Sequence, residues 1–126
     1  MGIKQKINLK EVTSGYYICN LIKSGEQLKM VFDNIEIIFE NYQIFKCGYP
    51  NEEVYMHSDF YINNNPQKYI LYEVEQSDWI RELVNVNKVH QRHSDILFET
   101  DKHFIIYYED EIFECVAEGF NIIPKR

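Results

Sequence analysis

Glycine and proline are scarce in this chain of 126 residues, at five and three. That scarcity excludes collagen-like and low-complexity classes, and an aromatic share of 15% argues against disorder, which needs a chain too poor in apolar surface to offset its ordering entropy. Cysteine is scarce too: Cys19, Cys47 and Cys115 are an odd number at wide spacing, with no Cys-x-x-Cys pair. This points to reduced, mostly buried thiols in a cytoplasm rather than to a disulfide framework. No apolar run approaches the roughly 20 residues that span a bilayer. The segment Met1-Gly2-Ile3-Lys4-Gln5-Lys6 lacks the apolar region of a secretory signal, and Lys6 stands where N-myristoylation needs Ser or Thr. We therefore expect a cytoplasmic protein with no membrane partner.

Basic residues are also in deficit, 13 Lys plus Arg against 20 Asp plus Glu, for a formal charge of −7. Such a balance repels phosphate backbones, and Lys125-Arg126 is the only basic cluster, so nucleic-acid binding is not expected. The acids are concentrated between His93 and Glu118, where Asp95, Glu99, Asp101, Glu109, Asp110, Glu111, Glu114 and Glu118 face the single base Lys102. The signatures Gly-x-Ser-x-Gly, Cys-x-x-Cys, His-Glu-x-x-His and a phosphate-cradling glycine loop are all missing. No cofactor is implied, and an enzyme is the less favoured class.

What is present is a chain long enough to bury about two-thirds of its unfolded surface in one core, and residues 1–126 read as one domain. Apolar residues fall in short runs rich in β-branched and aromatic side chains, broken by Gly, Asn, Asp or Pro, which is a strand signature. The expected strands are Ile3 to Leu9, Tyr16 to Ile22, one or two within Leu28 to Phe39 with a bend at Asp33-Asn34, Tyr42 to Cys47, Val54 to Ile62, and Tyr69 to Val74. Lys23-Ser24-Gly25-Glu26 reads as a turn and Asn63-Asn64-Asn65-Pro66 as a strong break. One helix is expected from about Ser77 to Arg92, with Ser77 as N-cap and Asp78 in the first turn. Trp79, Leu83, Val86 and His90 recur at helical spacing and should pack on the sheet. Phe104 to Tyr108 and Ile112 to Ala117 should form a hairpin with the acidic tip Glu109-Asp110-Glu111, and Gly119 should permit a bulge before Phe120 to Ile123. The fold class is α+β: a mainly antiparallel sheet, curled barrel or sandwich-like, with one packed helix near residues 77–92.

Three constellations have both a chemical and an ordinary structural reading. Glu109, Asp110, Glu111, Glu114 and Glu118 form either a solvated acidic hairpin or a surface that steers a basic protein onto the chain. On a Val54 to Ile62 strand, Tyr55, His57, Asp59 and Tyr61 would share a face, giving either an exposed sheet surface or, with His90, His93 and His103, a cleft for a nucleotide or sugar. His90, His93, Asp95 and His103 could surround a metal ion in a hydrolase. Alternatively, His90 closes the apolar stripe and His93 meets the helix C-terminal dipole, and we assign no metal ligand. Cys115 alternates with Phe113 and Ala117 and reads as a small buried hydrophobe.

The stretch Val89-His90-Gln91-Arg92-His93-Ser94, then Lys102-His103-Phe104-Ile105-Ile106, then Phe113-Glu114-Cys115-Val116-Ala117-Glu118-Gly119-Phe120 resembles small bacterial single-domain proteins of immunity- or antitoxin-like character. The resemblance is confined to the C-terminal third and carries no residue role. It implies a protein partner. The leading expectation is a small acidic binding protein that docks on and inhibits a basic protein; the alternatives are a small-ligand binder and, third, a metal-dependent hydrolase.

Overall fold

The computed structural model describes residues 2–12, 20–48, 59–87, 100–108 and 111–124, and among these residues are nine strands, of which β3 shows strict alternation of buried and less buried residues. The larger sheet has five strands in the spatial order β1 (Gly2–Asn8), β6 (Ile70–Glu75), β7 (Lys102–Tyr107), β8 (Ile112–Ala117) and β5 (Ile44–Gly48). The smaller has four, in the order β2 (Asn20–Ser24), β3 (Gln27–Val31), β4 (Ile35–Glu40) and β9 (Gly119–Pro124). Every pairing within both sheets is antiparallel. The helices among the described residues are short: α1 (Leu9–Val12), α2 (Asp59–Asn64) and α3 (Asp78–Asn87). This is the expected α+β class in its sandwich-like form, because the described strands do not close into a barrel.

The sheets are held together by one apolar core. From β4, Ile35, Ile37 and Phe39 share a face and are buried with Phe104, Phe113, Cys115 and Ala117 of the larger sheet. Phe39 is the hub, its ring centroid lying 5.5 Å from Phe104, 5.6 Å from Phe113 and 6.3 Å from Phe120. Burial of such a ring contributes about 1.5–3 kcal/mol, with a further increment for tilted aromatic pairs. The other face of the larger sheet carries a second cluster, Ile70, Tyr72, Val74, Ile105 and Tyr107, against which Tyr61 of α2 packs.

Two of the passages between sheets, β4 to β5 and β8 to β9, lie at adjoining corners. β4 runs toward β5 through Asn41, whose φ of 49° is left-handed, and β8 runs into β9 through Glu118. The corners are tied together: the Glu118 N–H donates to the Glu40 carbonyl at 3.0 Å, the Gln43 N–H donates to the Val116 carbonyl at 2.8 Å, and Asn41 Nδ2 donates to Glu118 Oε2 at 2.8 Å. Because β4 pairs with β9 and β5 with β8, the four strands form one antiparallel ribbon, folded so that each half belongs to a different sheet.

Local chemistry explains several element ends. Gly25, at φ 60°, turns β2 into β3 where a residue with a Cβ would be strained. The expected strand Val54 to Ile62 is corrected: Asp59–Asn64 is helical, and residues 54–58 lie outside the described part. The physical reason is the asparagine run. Asn65 adopts φ 46° and its N–H caps the Tyr61 carbonyl at 2.8 Å, with Pro66 next, which is a left-handed helix stop followed by a residue that cannot continue the helix. Alternation then no longer applies, and Asp59 and Tyr61, two residues apart on a helix, do not share a face.

In α3, Ser77 is the N-cap as expected, its Oγ accepting the Ile80 N–H at 3.2 Å. The expected continuation over residues 88–92 lies outside the described part. Trp79 and Leu83 are half-buried, but Val86 is 60% exposed, which corrects the expectation that it packs on the sheet. The helix meets β7 through its first turns, where Trp79 contacts His103. Cys115 is buried as expected, while Cys47 is exposed; Cys19 lies outside the described residues. No helix among the described residues is long and apolar enough to cross a membrane.

Candidate functional site

The junction between β6 and α3 gathers the polar chemistry of the molecule. β6 ends at Glu75, Gln76 takes a left-handed φ of 54°, and Ser77 opens the helix. Ser77 Oγ lies 2.7 Å from His103 Nδ1, and His103 Nε2 lies 2.8 Å from Glu114 Oε1. Strand register makes this chain possible, since His103 on β7 pairs with Val116 and Ile105 with Glu114, so that His103 and Glu114 stand diagonally on one face. Ser77 and His103 are each only 6% exposed.

Burial alone would raise the Glu114 carboxyl, but the hydrogen bond and charge of His103, joined by Lys46, outweigh it and hold the group below its ordinary 4.5. An ionised Glu114 is an acceptor only, so Nε2 carries the proton, and in the neutral ring Ser77 donates its hydroxyl hydrogen to Nδ1. Lys46 Nζ approaches Glu114 Oε2 at 3.5 Å and sits 4.4 Å above the Trp79 ring, whose edge meets His103 at 5.2 Å between centroids. A hydroxyl–imidazole–carboxylate chain is the order found in nucleophilic catalysis. Here the hydroxyl oxygen is buried and also accepts the Ile80 N–H, so the chain serves to clamp the start of α3 to β7 and β8.

Beside this clamp lies a cavity of about 710 Å³ whose lining includes Glu73, Glu75, Ser77, Arg81, Asp101 and Lys102. Its charges are unequally committed. Glu73 has Lys6 Nζ at 3.5 Å, while Arg81 pairs with Asp78 and donates to the Gln76 carbonyl at 3.3 Å. Asp101 differs: both carboxylate oxygens are buried, and among the described residues neither has a hydrogen-bond partner. Burial first, and then the negative charge of Glu118, push its pKa from 3.8 up to about 6. Glu118 is fixed nearby by Thr100 Oγ1 at 3.3 Å and Asn41 Nδ2 at 2.8 Å.

Of the residues singled out from sequence, those that are described are dispersed. Glu111 and Glu118 flank opposite ends of β8 (Ile112–Ala117), about 20 Å apart at strand rise. Glu114 between them is engaged by His103 and Lys46. Of the tip, Glu109 and Asp110 lie outside the described residues, and the Glu111 carbonyl accepts the Tyr108 N–H at 2.8 Å to close the loop. Tyr55 and His57 of the expected cleft lie outside as well, nothing is described for the Asp59 side chain, and Tyr61 packs edge-on against Tyr107 at 5.8 Å. His90, His93 and Asp95 lie outside the described residues. His103 has both ring nitrogens occupied, so it could join a metal only by giving up Ser77 or Glu114.

Sequence reading missed Lys46, the second role of Ser77 and the isolation of Asp101. One signal for the clamp was available: Glu114 is a lone carboxylate in the two-sided apolar run Ile112-Phe113-Glu114-Cys115-Val116-Ala117, and a charge there needs a partner. Fold and site together define an α+β two-sheet protein with a polar clamp and an anionic recess at one end of the larger sheet. No family model, curated protein or solved structure matches the chain.

Proposed function

We propose that the chain is a small acidic binding protein that docks on and inhibits a basic protein, and that the docking end of the molecule is the one carrying Glu75, Asp101 and Glu118. The observation that carries this reading is the acidic balance of the chain, 20 Asp plus Glu against 13 Lys plus Arg, with exposed Glu75 and the neighbouring acids Asp101 and Glu118 at this end. A net charge of −7 adds long-range attraction for a cationic surface and raises the rate of encounter. The acidic hairpin tip then contributes steering, while contact is made at the opposite end of β8.

The experiment is native mass spectrometry of the untagged protein, gently purified from cells that make it, with wild type compared with a Glu75→Lys/Glu118→Lys variant and with a Glu111→Lys variant. The expected result is a second polypeptide of high pI, lost on raising the salt and weakened at least about 10-fold by the double reversal, with Glu111→Lys affecting mainly its association rate. Capture indifferent to both salt and charge reversal would overturn the reading. A second reading, retention of a small ligand, is favoured by the cavity volume, which lies in the range of small-molecule sites. It predicts instead an added mass of a few hundred daltons. With Glu73, Glu75 and Asp101 beside Arg81 and Lys102, the lining suits a polar, hydroxylated ligand.

A further inference from the structure

We infer that β9 is the seam through which two copies of this chain pair, strand against antiparallel strand, joining their smaller sheets into one. Such pairing does not depend on the proposed function. Among the described residues β9 pairs only with β4 and ends its sheet, so its other edge offers backbone N–H and C=O groups at the spacing that a further extended strand matches. Four of the described strands stand at sheet edges, and three of them carry lysine: Lys4 and Lys6 on β1, Lys23 on β2 and Lys46 on β5. Lysine at an edge discourages a second chain from adding on. β9, Gly119-Phe120-Asn121-Ile122-Ile123-Pro124, holds no charge, and its proline blunts only the last position. Its side chains suit an interior strand. Phe120 packs on Phe39 and Phe104 toward the core, and Ile122, on the same face by strand alternation and opposite fully buried Ile37, is still 39% exposed. The core layer is unfinished at this margin. On the other face Ile123 is 44% exposed. A second copy is the occupant that fits. A two-fold axis perpendicular to the sheet keeps core face with core face, so each Ile122 is covered by the other copy's β9. Each chain carries −7, yet the paired strands bring no like charges together. In sequence β9 is preceded by Glu118 and followed by Lys125-Arg126, so antiparallel pairing sets acid against base at both ends, which parallel pairing would not.

A seam of six residues per copy is short beside the roughly 1,200–2,000 Å² of standard interfaces, so weak association is expected. Sedimentation equilibrium of the untagged chain from about 10 μM to about 1 mM covers that range. The mass should rise with concentration from one chain toward two and stop there, because a two-fold seam closes. Asn121→Lys/Ile123→Lys, which brings like charges together across the seam, should weaken association at least about 10-fold, although it moves the net charge of −7 toward zero and eases repulsion elsewhere. Both positions are exposed, so this variant is expected to fold, and its dispersed amide spectrum verifies that. Ile22→Lys, at a 47% exposed position on the opposite edge strand β2, should leave association unchanged. Amide exchange of the wild type, which needs no variant, should slow over residues 119–123 as concentration rises. A single-chain mass throughout the range overturns the seam. So does association that the β9 variant leaves intact, that Ile22→Lys weakens as much, or that grows past two chains.

Discussion

The two faces of the larger sheet solve the burial problem in different ways. On the inner face, Phe104, Phe113, Cys115 and Ala117 meet the smaller sheet, and any apolar side chain of suitable volume would serve. The outer face has an apolar cluster of its own, Ile70, Tyr72, Val74, Ile105 and Tyr107, but beside it Ser77, His103, Glu114 and Lys46 form a chain of specific pairings. The inner face depends on amount of contact and the polar chain of the outer face on identity of partner, because a buried polar group that loses its mate retains its desolvation cost. The difference predicts distinct responses to substitution and to pH.

The largest effect belongs to the inner face. Phe39→Ala removes the ring shared by Phe104, Phe113 and Phe120 and should cost about 3–5 kcal/mol, read from urea midpoints, with little dependence on pH. On the outer face, Glu114→Gln should cost about 1–3 kcal/mol at neutral pH. Since the folded carboxyl is held below the unfolded 4.5, its contribution is present above that value and is lost as pH falls through the lowered one. The cost of Glu114→Gln should therefore shrink in acid; a cost constant from neutral pH to pH 3 would show that charge plays no part in the clamp.

The smallest effect has the opposite sign. Asp101 is raised from 3.8 to about 6, so the folded state takes up a proton in that interval and loses stability as pH rises through it. Asp101→Asn should stabilise the free chain above pH 6 by on the order of 1 kcal/mol, after discounting for partial exposure. The gain should vanish below 3.8. A variant less stable than wild type at pH 7 would mean that Asp101 already has a partner in the free protein.

Features written in contiguous residues were legible in the sequence. The Gly25 turn, the Ser77 cap and the pairing of Phe104 to Tyr108 with Ile112 to Ala117 each follow from neighbouring side chains, and the structure has all three. Val54 to Ile62 misled because its alternation was read without the helix stop at Asn65. The clamp was visible only in fragments: Ser77 as a cap, His103 as a ligand, Glu114 as a surface charge. Its assembly requires the registers of β5, β8 and β7 together with the position of α3, and no local pattern encodes those. Asp101 was counted among eight acids and not distinguished, since its isolation is a property of the space around it.

The folded ribbon that joins the sheets bears on how the molecule comes together in time. Asn41 and Glu118 meet across 77 positions of chain, and closing a loop of that size costs roughly 4 kcal/mol in chain entropy before the size-independent part. A single closure at the corner brings both seams into register, β4 with β9 on one side and β5 with β8 on the other. The two sheets should therefore appear in one kinetic step, on the millisecond-to-second scale of non-local β topologies.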